Sequence, residues 1–136
     1  MSFAAEIEQF AGDALEQVER IRRVFIGKLC IMIIDKTPVL TGHLKGNWQA
    51  SVGTPEMDEV PRKSKAGGFV KQQALDVLAR LQGDETFYFS NNAPYVLRIE
   101  YEGHSSVKAP DGMARISLLA VGQLINQAVR EGELMS

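Results

Sequence analysis

The sequence has 136 residues and a mass of 15.0 kDa, enough for one domain with a hydrophobic core but not for two independent domains. Hydrophobic residues make up 45% of the chain and charged residues 24%, as is usual for a globular domain. The formal net charge is −2, so no global basic field favours nucleic acid. The single cysteine, Cys30, excludes an internal disulfide and is expected to be a small buried hydrophobic residue.

Neither end of the sequence suggests a targeting or membrane segment. The first residues are acidic where a signal peptide is basic. The most apolar run, residues 24–34, is interrupted by Lys28 and is shorter than the ~20 residues of a membrane span. We therefore expect assembly in a bacterial cytoplasm and no membrane contact.

The first third of the chain predicts one long helix over residues 3–35. Apolar residues recur there at steps of three and four, Ser2 is a suitable N-cap, and Pro38 disfavours helical geometry at Thr37. Such a helix is roughly 48 Å long at about 1.5 Å per residue, whereas a domain of this size has a radius of gyration of about 14 Å. The helix must therefore either bend, at Gly12 or Gly27, or extend beyond its own domain and pack against another subunit.

Strict alternation of apolar and polar residues predicts a strand over residues 43–52. The face with Leu44 and Trp48 is expected to be buried, and the face with Asn47 and Gln49 to be in water. Residues 53–68 then combine prolines, glycines and mixed charge, which predicts a long loop, mobile in the free protein over about residues 54–68.

The second half of the chain continues with intermixed helices and strands. The patterns predict a short helix over 68–82 that stops at Gly83, and a strand over 86–90. Residues 95–102 fit either a strand or a short helix, and we favour the helix. A loop over 103–110, a helix over 111–131 and a tail over 132–136 complete the chain. The lack of regular alternation predicts a single α+β domain over residues 1–136.

In this α+β arrangement we expect the long N-terminal helix and the C-terminal helix to pack on a small, mainly antiparallel sheet. The core should be supplied by residues 18–33 of the first helix. The overhanging end then carries Phe3, Ile7 and Phe10, which we expect to contact another subunit or a partner.

Side chains with catalytic or metal-binding patterns are not evident. His43 and His104 have no cysteine or carboxylate at convincing ligand spacing, and Glu100 and Glu102 are more simply solvated charges than a catalytic pair. We predict no enzyme activity, no metal and no cofactor. The basic cluster at residues 62–65 leaves a small nucleic-acid-binding regulator as the alternative function, and a small hydrolase is a third hypothesis.

Four short blocks, at residues 35–48, 89–95, 99–105 and 109–115, contain the more specific patterns. They carry turn residues and large anchors: Pro38, Thr41, Gly42, Leu44, Trp48, Asn91, Asn92, Pro94, Tyr95, Glu100, Tyr101, Gly103, Pro110, Gly112 and Met113. In order and spacing these blocks resemble the tail-completion and neck proteins of long-tailed double-stranded DNA phages, the group similar to minor tail protein Z. Glu102 departs from that pattern, in which the tyrosine runs directly into the glycine.

The resemblance implies a structural protein of the virion, located at the head–tail junction. It implies a ring, expected to have six copies, that caps the tail and joins it to the head connector. Its partners would be other copies of itself, head-connector or head-closure proteins, and tail-terminator or tail-tube proteins. Genomic DNA would pass nearby without sequence-specific binding. We expect the motif residues to fix the fold rather than contact a ligand.

Overall fold

A computed structural model describes residues 2–39, 41–94, 96, 117 and 121–135. Its elements are α1 (Phe3–Lys36), α2 (His43–Gly46), β1 (Trp48–Val52), α3 (Gly68–Ala79), β2 (Phe87–Asn91) and α4 (Val121–Met135). The predicted α+β class is confirmed, with a long N-terminal helix, a small antiparallel sheet, a short middle helix and a C-terminal helix.

The ends of α1 lie where the sequence predicts them, apart from one added residue at the C-terminal end. Ser2 accepts a hydrogen bond through its hydroxyl from Ala5 N at 3.2 Å. Thr37, in an extended conformation before Pro38, donates its backbone N–H to Ile34 O at 3.1 Å. The 34 residues between these caps form one uninterrupted helix, without a break at either glycine, so the helix extends past its own domain.

The sequence predicts a strand over residues 43–52, and this prediction is wrong for residues 43–47. His43 lies in α2, not on a strand face, and β1 starts only at Trp48. Gly42 adopts φ 87°, a left-handed conformation, and its carbonyl accepts a hydrogen bond from Gly46 N at 2.8 Å. This bond closes a helical turn before the chain can extend, and a four-residue alternating pattern is too short to distinguish the two conformations.

The described sheet contains two antiparallel strands. Trp48 pairs with Asn91 and Val52 with Phe87, which fixes the register. β2 begins and ends one residue later than predicted. α3 packs on β1, while α1 packs against α3 and α4.

α3 begins at Gly68 as predicted but ends three residues before the predicted end at 82. Arg80 N donates to Val77 O and Leu81 N to Leu78 O, each at 3.1 Å. These bonds join residues three apart, as in a 3₁₀ turn, and end the α-helix. Gly83, at φ 37°, therefore lies in a turn beyond the helix and is not its stop.

α4 continues to Met135, so residues 132–135 of the predicted tail are helical. It runs antiparallel to α1, because Lys28 Nζ meets Glu131 Oε1 at 2.7 Å while Gln127 lies beside Met32 and Lys36. The start predicted near residue 111 and the loop predicted over 103–110 lie outside the described residues. Of residues 95–102 only Val96 is described, in a helical conformation.

The main core lies at the C-terminal end of α1, where it meets α2, β1 and α3. Its buried hydrophobic members are Ile33, Ile34, Leu44, Trp48, Val70 and Ala93. A second buried group, formed by Cys30, Ala50 and Ala74, lies next to it. Burial raises the pKa of the Cys30 thiol to about 12, which agrees with the predicted role as a hydrophobic residue.

Trp48 links three parts of this core. Its indole stacks on Phe89 with ring centroids 4.8 Å apart and planes 8° apart. Its Nε1 donates to Thr37 Oγ1 at 2.8 Å, and that hydroxyl donates in turn to Ile33 O at 2.8 Å. The end of α1 and the start of β1 are thus joined through one buried hydroxyl.

Replacing Trp48 with alanine should lower the free energy of unfolding by about 3–5 kcal/mol, because a large buried ring is removed. Thr37→Val should lower it by about 1–3 kcal/mol, because the indole N–H loses its acceptor. Urea unfolding followed by circular dichroism measures both. A loss below about 1 kcal/mol for Trp48→Ala would contradict the buried placement.

Candidate assembly surface

The N-terminal half of α1, residues 2–19, forms an arm that presents apolar side chains to solvent. Phe3, Ile7 and Phe10 are 78%, 51% and 76% exposed, and Leu15 and Val18 are 65% and 61% exposed. Apolar patches of this kind usually mark interaction surfaces. The predicted exposure of the overhanging end is therefore confirmed, and its role as a subunit contact stays a prediction.

The core was expected to include α1 from Val18 onwards, and this start is too early. Val18 is exposed, and the first buried residue of α1 is Gly27. A Cβ at Gly27 would lie only 3.3 Å from Leu75 Cδ2, so the missing side chain lets α3 approach α1 closely. Packing against α3 therefore begins only in the second half of the helix.

Thr41 and Gly42 form the predicted turn, and Gly42 also makes room for the loop. Thr41 Oγ1 accepts from His43 N at 3.3 Å. A Cβ on Gly42 would lie 2.8 Å from Ser64 N, whose N–H donates to Gly42 O at 2.9 Å. A glycine is required here both by the positive φ and by the close passage of the loop backbone.

The paired asparagines at the C-terminal end of β2 hold the neighbouring backbone. Asn91 Nδ2 donates to Leu44 O at 2.8 Å, and Asn91 Oδ1 accepts from Ala93 N at 3.1 Å. Asn92 Nδ2 donates to Glu56 O at 2.9 Å. These amides therefore hold the turn before Pro94 against α2 and the loop, and the structural role of the wider motif stays a prediction.

Two buried amides in and before β1 were missed by the sequence reasoning, which placed them in water. Asn47 is fully buried, donates to Val60 O at 3.0 Å and accepts from Val60 N at 2.8 Å. Gln49 is also buried and donates to Asp58 O at 2.9 Å. A long loop must satisfy its backbone polar groups, and nearby amide side chains were the available signal. The predicted mobility of the loop stays a prediction, and these bonds oppose it.

The basic cluster at residues 62–65 is divided between structural and solvent-exposed side chains. Arg62 Nε donates to Gly46 O at 2.7 Å, and its guanidinium carbon lies 4.8 Å from the ring centre of Phe69. Burial lowers the pKa of Arg62. Lys63 and Lys65 are exposed. The strongest phosphate ligand of the cluster is therefore used to hold the loop.

The remaining candidate polar residues form no site in the part of the chain that the structure describes. His43 Nε2 lies 3.2 Å from Glu59 Oε1 on the surface, and no group of three metal-binding side chains occurs among the described residues. His104, Glu100 and Glu102 lie outside those residues. The same holds for the motif positions Tyr95, Tyr101, Gly103, Pro110, Gly112 and Met113.

Comparison with protein-family models, curated proteins and solved structures finds no match to this chain. Among the described residues, no helix combines the length and apolar character needed to cross a membrane.

Replacing Asn47 with alanine should release the loop, because two backbone groups of Val60 lose their partner. We expect tryptic cleavage at Lys63 or Lys65 to become at least about tenfold faster, since about 1.4 kcal/mol corresponds to a tenfold change in the open population. Cleavage rates at each site are measured by mass spectrometry. Gln72→Ala, which removes an exposed helix-surface bond to Asp76, is the matched control.

Cleavage within α1, at Arg22 or Arg23, reports unfolding of the whole domain and corrects for lost stability in the Asn47→Ala variant. Equal rates at Lys63 and Lys65 in wild type and variant, after this correction, would show that Asn47 does not hold the loop.

Proposed function

We propose that this chain is a structural subunit of a tailed phage, a tail-completion or neck protein. It assembles as a ring, expected to have six copies, that caps the tail and joins it to the head connector. The observation that carries this proposal is the exposed apolar arm, which extends beyond the core formed by the described residues.

Among the described residues, the arm contributes no buried side chain to the core of its own domain. The buried residues of α1, which are Gly27, Cys30, Ile33 and Ile34, all lie in its second half. The first half adds roughly 26 Å of helix, at about 1.5 Å per residue. Helices in proteins gain most of their stability from packing an apolar face, so a helix that is exposed over this length indicates a partner.

The motif residues support the same class of function. Gly42 and Asn91 hold turns, while Trp48 joins α1 to the sheet through a hydrogen bond. These residues fix the backbone of the domain through a turn and hydrogen bonds. A subunit that must present a constant shape to several partners needs this kind of rigidity.

Nucleic-acid binding receives less support. Arg62, the side chain best suited to bidentate phosphate contact, donates to the backbone and stacks on Phe69. Lys63 and Lys65 remain as the exposed positive charges of the cluster, and Phe69, the exposed aromatic residue nearest to them in sequence, already packs against the Arg62 guanidinium.

The test replaces the three large side chains at the tip of the arm in one variant, Phe3→Ser, Ile7→Gln and Phe10→Ser. Because they are exposed, the free energy of unfolding should change by no more than about 0.5 kcal/mol. In a phage whose own copy of the gene is disabled, the variant should fail to restore infectious particles and leave tails unattached to heads.

Met57→Gln is the matched control, because Met57 is also a highly exposed apolar residue but lies in the loop. Native mass spectrometry and negative-stain microscopy of particles assembled with wild-type protein report the ring directly. Normal titres with the triple variant, together with an unchanged melting curve, would refute the proposed role of the arm. Absence of the chain from purified particles would refute the proposed function.

A further inference from the structure

An open groove of about 800 Å³ lies beside α1, between α3 and the end of α4. Its floor is formed by Val24, Gly27 and Ile31 of α1, and Leu75 of α3 forms a wall. Among the described residues, Leu75 is one of four large apolar side chains outside the arm that are exposed. The groove is therefore a concave apolar surface on the same molecule that carries the convex arm.

The arm has the shape to enter such a groove. At about 100° per residue, Phe3, Ile7 and Phe10 fall within a narrow stripe along one side of the helix. Glu6 and Asp13 are seven residues apart and lie along one border of that stripe. An occupant that approaches the stripe from this side meets apolar side chains flanked by carboxylates.

Charge is distributed unequally between the two halves of α1. The arm has no basic residue and five acidic ones: Glu6, Glu8, Asp13, Glu16 and Glu19. Residues 20–34 have no acidic residue and four basic ones: Arg20, Arg22, Arg23 and Lys28. The chain has 15 basic and 17 acidic residues, so outside the arm 15 basic residues stand against 12 acidic ones.

Basic residues from this second stretch line the groove. Arg23 and Lys28 are part of its lining, together with two acidic residues, Glu19 and Glu131. Lys28 Nζ is paired with Glu131 Oε1 at 2.7 Å. Arg23 donates to Leu81 O at 3.3 Å and places a positive charge at the edge of the apolar floor.

From these observations we propose that the arm of one copy seats in the groove of a second copy, a head-to-tail contact of the chain with itself. The apolar stripe covers the groove floor. Glu6 and Asp13, which border the stripe, then face the basic residues 20–34 of the neighbouring copy. A contact between two different surfaces of the same chain is heterologous, and it generates a ring when the rotation between copies closes. The inference rests on the proposed function in that it supplies the contact between ring subunits.

Other occupants of the stripe fit less well. Pairing of two stripes would bring Glu6 and Asp13 of each arm close to the same residues of the other arm without a compensating cation. A lipid surface is disfavoured because helices that lie on membranes carry lysines and arginines on their polar face, whereas the arm has none.

Disulfide trapping tests the contact. Ala14 lies on the stripe of the arm, and Ala79 lines the groove. Ala14→Cys and Ala79→Cys are made as separate variants, mixed and oxidised, so that a mixed disulfide can form only between two copies. The native Cys30 is buried, with a pKa raised to about 12, and should stay unreactive.

We expect the Ala14→Cys and Ala79→Cys mixture to give at least about tenfold more mixed disulfide than a mixture of Ala14→Cys with Ala66→Cys, an exposed control in the loop. A predominant Ala14→Cys homodimer would overturn the proposal in favour of stripe pairing. Equal yields in both mixtures, or a chain that stays monomeric at its highest soluble concentration, would also overturn it.

A charge test uses two variants with the same change in net charge. Glu6→Lys with Asp13→Lys reverses the carboxylates beside the stripe, and Glu8→Lys with Glu16→Lys reverses two on the opposite side of the helix. Sedimentation should show association weakened about tenfold more by the first pair than by the second. Equal effects would mean that net charge alone acts, which contradicts seating in the groove.

The two proposals can fail separately. Loss of infectious particles with the triple arm variant, but no mixed disulfide in assembled rings, would keep the proposed function and overturn the groove contact. A specific mixed disulfide in a chain that is absent from particles would keep the contact and overturn the proposed function.

Discussion

The fold depends on the hydroxyl of Thr37, which donates to Ile33 O and accepts from Trp48 Nε1. This one group bonds to the last turn of α1 and positions the indole of Trp48, the largest side chain of the core. Because Trp48 opens β1 and stacks on Phe89, the position of the sheet follows from the end of the helix. Asn47 and Gln49, at the start of the same strand, bond to the loop. A substitution at the contact between Thr37 and Trp48 should therefore also affect the sheet and the loop.

Local signals in the sequence predict an element well when a capping residue or a proline marks its ends. Ser2 and Pro38 define α1 nearly to the residue because capping and proline geometry act within one turn. The alternating pattern before β1 fails because Gly42 turns the chain and Asn47 is buried to satisfy a loop thirteen residues away. Hydrogen bonds over such distances leave no periodic signal, so the polar residue is placed in water by pattern alone.

The arm and the groove also differ in how far the sequence predicts them. Exposure of the arm follows from length, because a helix longer than its domain must leave one end unpacked. The groove could not be predicted, since its lining comes from residues 19–31, 75–83 and 131, which are brought together only by the fold. The small residue that lets α3 approach, Gly27, suggested a bend in the sequence and instead lies within a continuous helix.

The continuity of α1 has a consequence for the free energy that is needed to order the arm. An isolated helix as short as the arm would need its own nucleus, which is the unfavourable step in helix formation. The arm instead extends a helix whose C-terminal turns are packed in the core. For each residue added to such a helix, the helical and coil states differ little in free energy. Glu6 near its end favours the helical state through the dipole. Ordering the arm at a contact would therefore cost little free energy, which leaves more of the favourable free energy of that contact for binding.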